Sequence, residues 1–135
     1  MLSNVQKLQN FAARVAVGDV RKYDHITPAF TQLNWLKMKQ KLYYDIAIMV
    51  FKVRNNYYPN WFLTLPTVGE ISNSRTRQIN NLFVPRTYTE CGARALPVLG
   101  PNTWNDLPND VKEANSISIF KHKLKQYLQH NPSYS

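Results

Sequence analysis

The sequence predicts a mainly α-helical fold with a small β-hairpin in the middle. Three observations carry this expectation. Apolar residues recur at three- and four-residue steps near both ends and in the first half of the chain. The longest such stretch, Lys37 to Asn55, contains no Gly or Pro. The segment from Pro66 to Asn81 breaks the pattern, being rich in Thr, Ser, Asn and Gly. At 135 residues the chain is the size of one domain. Its expected division is helical over 1–65, loop and hairpin over 66–90, and helical over 91–130.

The first helix is expected to begin at Ser3, which has capping-box spacing with Gln6. Val5, Leu8, Phe11, Ala12 and Val15 form its apolar stripe, and Gly18 is placed to close it with a left-handed cap. A polar stretch from Asp19 to His25 follows. Thr27 and Pro28 then suit the start of a short helix carrying Phe30 and Leu33. In the long helix, Leu42, Ile46, Met49, Val50 and Val53 mark one face, widened by Tyr43 and Phe51. Lys37, Lys39 and Lys41 stand at its start, where cations oppose the helix dipole. They are expected to precede the helix or to serve a role that needs charge.

Asn55-Asn56 ends that helix, and Pro59 could start a short one through Leu63. The loop after Pro66 exposes Arg75 and Arg77. Leu82-Phe83-Val84, stopped by Pro85, reads as one strand of a hairpin with Arg86-Thr87-Tyr88, giving a hairpin near residues 79–88. Helical spacing resumes with Ala93, Leu96 and Leu99 and continues through Trp104, Leu107 and Val111, punctuated by Pro97, Pro101 and Pro108. Asn115 or Ser116 can cap the last helix, whose stripe is Ile117, Phe120, Leu124, Tyr127 and Leu128. Pro132 ends it, with a frayed tail expected beyond.

Composition limits the function classes. The 17 Lys and Arg outweigh 8 Asp and Glu, giving a net charge of +9 and a pI near 9.8. Nucleic acid is the first candidate partner for such a charge, and an anionic membrane surface the second. No stretch approaches the ~20 apolar residues of a membrane span. There is one Cys, so no internal disulfide can form. The absence of an apolar leader points to a reducing, intracellular compartment. His25, His122, His130 and Cys91 lack metal-ligand spacing. No nucleophile elbow or phosphate-binding glycine loop is present. The acids are scattered singly, whereas two-metal nucleic-acid enzymes need clustered carboxylates. No catalytic or metal residue and no cofactor is therefore expected in this chain. Candidate phosphate contacts are Arg14, Arg21, Lys22, Lys37, Lys39, Lys41, Arg75, Arg77 and Arg86, together with the lysines near the C-terminus. Trp35, Trp61 and Trp104 sit among apolar neighbours and read as packing anchors.

A series of motifs then resembles a known family. Leu8-Gln9 with Ala12-Ala13-Arg14, Asp24 to Pro28, Leu33-Asn34-Trp35-Leu36 and Tyr58 to Phe62 come first. Thr76-Arg77, Val84 to Thr87, Gly92 to Ala95, Gly100 to Pro108, and Phe120-Lys121 with Leu124-Lys125 follow. In this order they resemble the region after the thumb in reverse transcriptases of non-LTR retrotransposons (LINEs), jockey-like elements especially. The "GP-x-x-WN-x-LP" block is the most specific of them. The family commonly has Pro-Val where this chain has Lys37-Met38. The palm's "Y-x-DD" metal-binding sequence is not present. The resemblance implies the C-terminal piece of an RNA-directed DNA polymerase, whose divalent metal belongs to the parent enzyme only. It implies RNA or DNA and the upstream polymerase domains as partners, and nucleus and cytoplasm as location. The alternatives are a helical module that docks on the palm and thumb, with its first helix as the docking element, and a functionless transposon remnant.

Overall fold

The computed structural model describes residues 2–73 and 77–134. Its helices are α1 (Leu2–Val17), α2 (Thr27–Leu33), α3 (Met38–Arg54), α4 (Val68–Ile71), α5 (Glu90–Ala93), α6 (Leu96–Asn105), α7 (Asn109–Lys112) and α8 (Ile117–His130). A 3₁₀ turn, Pro132–Tyr134, follows. The chain is thus mostly helical, as expected. It packs as two compact units: unit 1 comprises residues 1–44 and 125–135, and unit 2 comprises residues 45–124.

In unit 1, Ala13 of α1 meets Ala29 and Phe30 of α2, with Val17, Val20, Ile26 and Leu33 around them. The two alanines leave room for the helices to approach closely. This packing decides which face of α1 lies inside. Its polar face points inward: the Gln6 carbonyl accepts from the Met38 backbone N–H (2.8 Å), and the Gln9 amide donates to the Leu36 carbonyl (2.7 Å). Those bonds satisfy backbone groups that precede and open α3. The apolar stripe is left outside, with Val5, Leu8, Phe11 and Val15 39–70% exposed. Ser3 lies within α1 and Gly18, at φ +81°, closes it as expected.

Helix α2 ends in a Schellman motif. Asn34 adopts the left-handed conformation (φ 53°) and its N–H donates to Thr31, while the Trp35 N–H donates to Phe30 (2.9 Å). Gln40, buried near the start of α3, accepts from the Lys37 N–H and donates to the Leu128 carbonyl (2.8 Å). Up to Tyr134 the tail is not frayed. Tyr134 is buried and packs edge-on against Tyr43, with ring centroids 4.6 Å apart. Aromatic burial, invisible in a tail judged by its Pro and Ser, holds it down.

Unit 2 has an aromatic centre. Phe120 is fully buried and stacks on Phe51 (4.4 Å) and on Trp104 (5.8 Å). Gly100 of α6 lies so close to Val50 that an added Cβ would come within 3.1 Å of its Cγ2. Pro97 falls in the first turn of α6, while Pro101 is accommodated inside it. The expected hairpin near 79–88 is not formed among the described residues. Instead Thr67 and Leu82 make a single antiparallel bridge, flanked by Val68 N–H to Asn81 O and Phe83 N–H to Pro66 O. The Asn105 side chain replaces the missing strand: its amide donates to Leu82 O and its carbonyl accepts from Leu82 N–H, both at 2.9 Å. With both backbone groups of Leu82 bonded to Asn105, a partner strand has no part to play there. The region expected as pure loop also holds α4, capped reciprocally by Thr67 and Glu70.

Trp104 is buried, whereas Trp61 is 85% exposed and no packing anchor. The turn at Pro59–Phe62 does not become a helix. Cys91 is exposed, as are the three histidines. Among the described residues, no helix is long and apolar enough to cross a membrane.

Candidate nucleic-acid interface

The positive charge is unevenly placed. Unit 1 carries eight Lys and Arg against two acids, a net +6. Unit 2 is larger but carries nine against six, a net +3. Two of its cations are spent within the unit: Lys123 pairs with Asp110 at 2.9 Å, and Arg94 lies 3.8 Å from Glu90. A third, Lys112, reaches the Asn105 carbonyl (3.3 Å). Its burial pushes the ammonium below its ordinary pKa, an effect partly opposed by Asp106.

Six of the nine candidate contacts fall in unit 1. Arg14 is half-buried at the end of α1, where it donates to the Asp24 carbonyl (3.5 Å). Its Nε is buried without a hydrogen-bond partner. Arg14 therefore braces the 19–25 loop as well as carrying charge. That loop is shaped by Asp24, whose carboxylate accepts from the Arg21 N–H (2.9 Å). Arg21 and Lys22 stand exposed on it, Lys22 over the Tyr23 ring at 5.8 Å. Phe11, Arg14, Val15, Gly18, Val20 and Lys22 line a hollow of about 630 Å³.

Lys37 immediately precedes α3, with its backbone N–H taken by Gln40, so it does sit ahead of the helix. Lys39 is exposed and its ammonium donates to the Ser133 carbonyl (3.1 Å). Lys41 lies over the Tyr44 ring at 5.2 Å. Lys37 and Lys39 share a hollow with Gln6 and Asn10. Lys41 shares another with Lys125, Trp35 and Tyr44. Arg77 and Arg86 are exposed in unit 2. Arg75 lies outside the described residues.

Two features escaped the residue-by-residue reading. Trp35 is 37% exposed and lines a hollow, although its neighbours Leu33 and Leu36 suggest burial. Its signal was Asn34, a residue that tolerates the left-handed backbone and so can end a helix and project the next side chain. Lys125, one of a group of similar lysines in the sequence, is singled out by standing with Lys41. Among the described residues no group of three or more His, Cys, Asp or Glu is placed to hold a metal ion. No protein-family model, curated protein or solved structure matches this chain.

Proposed function

We propose that the chain is a non-catalytic nucleic-acid-binding module, acting as the C-terminal region of a LINE-type reverse transcriptase and holding template RNA or target DNA. The observation that carries this reading is the net +6 charge of unit 1, where six of the nine candidate contacts stand. Such a density of Lys and Arg attracts a polyanion by releasing its condensed counterions. The ordered series of motifs supports the family assignment. In that setting the chemistry, the divalent metal and the palm carboxylates belong to the upstream polymerase domains, and the location is nuclear and cytoplasmic. The test is a fluorescence-anisotropy titration against single-stranded RNA, single-stranded DNA and duplex DNA over a range of salt. With about five phosphates contacted, log K falls with log salt at a slope near −3.5 on single strands and −4.5 on duplex. Affinity for none of these polymers, or affinity independent of salt, overturns the proposal.

The exposed stripe of α1 favours a second reading, in which this helix docks on the polymerase body. Val5, Leu8, Phe11 and Val15 form a contiguous apolar strip of the kind that marks protein contacts. On this reading the isolated chain self-associates through α1. A monomer at all concentrations in sedimentation equilibrium counts against it.

A further inference from the structure

The geometry points to a built subsite for an unpaired nucleobase on Trp35, with flanking phosphates held by Lys41 and Lys125. This rests on the nucleic-acid reading above and narrows it to single strands. The hollow has a volume of about 320 Å³, and its lining includes Trp35, Leu36, Met38, Tyr44, Lys41 and Lys125. That volume is at the small end of the range for ligand sites. The indole is held in place from two directions. The Schellman turn fixes its backbone, and its ring meets Phe30 edge-on at 6.3 Å and 78°. Restrained in this way, an exposed aromatic loses little freedom when a base stacks on it. The Tyr44 ring carries the Lys41 ammonium over it, so the cation is held beside the apolar wall. Trp35 also lines a second hollow, of about 350 Å³, that contains Lys37. Trp35 thus lines two hollows, each of which also holds lysine. An aromatic surface beside cations is the arrangement that binds single strands, in which bases are free to stack and phosphates follow a basic track. A duplex keeps its bases stacked inside and offers only its phosphates.

The experiment uses the full chain with a labelled oligothymidylate, a duplex of equal length, and a strand carrying one 2-aminopurine. The wild type is expected to prefer the single strand and to quench 2-aminopurine on binding. Trp35→Ala weakens single-strand binding by about tenfold, the scale of one lost base–aromatic stack. It leaves duplex binding and the salt slope unchanged. Trp35→Phe restores most of the affinity, and the exposed Trp61→Ala has no effect. Lys125→Gln lowers the salt slope by about 0.7 on the single strand. Circular dichroism checks that each variant is folded, and the 2-aminopurine signal needs no variant. Salt-dependent binding with no quenching, or equal losses on strand and duplex for Trp35→Ala, overturns the subsite and leaves the general reading standing. Displacement of the strand by polyglutamate as readily as by unlabelled oligonucleotide also overturns it. Failure to bind any nucleic acid overturns both.

Discussion

Unit 2 buries a large aromatic core, whereas unit 1 buries a smaller one, and both leave large apolar side chains exposed. Phe51, Trp104 and Phe120 stack in unit 2, where Val50, Leu82, Val98 and Leu124 are also buried. In unit 1 Ala13, Ala29 and Phe30 form one cluster, with Leu36, Leu128 and Tyr134 also buried, and five large apolar residues of α1, from Leu2 to Val15, are exposed. The charge follows the opposite order, concentrated where the core is thin. In unit 1 the Gln6, Gln9 and Gln40 side chains bond backbone groups, while cations and the apolar stripe of α1 face outward. Unit 2 has an aromatic core, and two of its cations, Arg94 and Lys123, are paired with acids of the same unit.

The largest test of this contrast is a pair of like substitutions. Phe120→Ala in unit 2 removes a fully buried ring and both its stacking contacts. Its expected cost is about 3–5 kcal/mol, read from urea denaturation. Phe11→Ala in unit 1 removes a ring that is 66% exposed, with an expected change within about 0.5 kcal/mol. Comparable losses for the two would mean that α1 is packed in solution and the contrast is wrong. Phe11→Ala should also weaken any self-association seen in sedimentation.

Asn105 gives a smaller effect with a more specific cause. Asn105→Ala removes both partners of the buried Leu82 backbone, with an expected cost of about 1–3 kcal/mol. Amide exchange should quicken at Leu82 and Phe83 while Phe30 in unit 1 is unaffected. Exchange quickened equally in both units would show that they do not differ in this respect.

This asparagine also shows how far the sequence could be read. Within the block Gly100 to Pro108, Gly100 lies against Val50, Trp104 stacks on Phe120, and Asn105 holds Leu82. The motif was visible in the sequence, and its physical reason is the inside of unit 2. The long helices were legible because their apolar spacing is regular, and α3 differs from its expected range only by its first and last residues. The orientation of α1 was not legible. Periodicity says which face is apolar, but which face turns inward depends on partners elsewhere in the chain, here Leu36 and Met38. The hairpin failed for a related reason, since a side chain 23 residues away satisfies Leu82. Of the candidate site, the lysines were legible as a basic population. Their grouping around Trp35 required the turn at Asn34.

The smallest effect concerns pH and the cap of α4 in unit 2. The Thr67 backbone N–H, with help from the Thr67 side chain, holds the Glu70 carboxyl below its ordinary value of 4.5. Arg54 adds a lesser pull in the same direction, against a small opposing effect of burial. A carboxylate with a depressed pKa in the folded state stabilises that state fully above its unfolded value. The contribution fades as pH falls through the folded value, because the protonated form no longer accepts as strongly. Glu70→Gln keeps an acceptor for the Thr67 N–H but removes the charge. The wild type should therefore exceed this variant in stability at neutral pH by a small margin, and the margin should shrink as the solution is taken below pH 4.5. Paired urea melts across that interval measure it. A margin that stays constant with pH would mean that charge at Glu70 does not contribute, and that the local cap of α4 rests on its hydrogen bonds alone. Since the carboxylate is exposed, added salt should reduce the part due to Arg54 and leave the part due to Thr67.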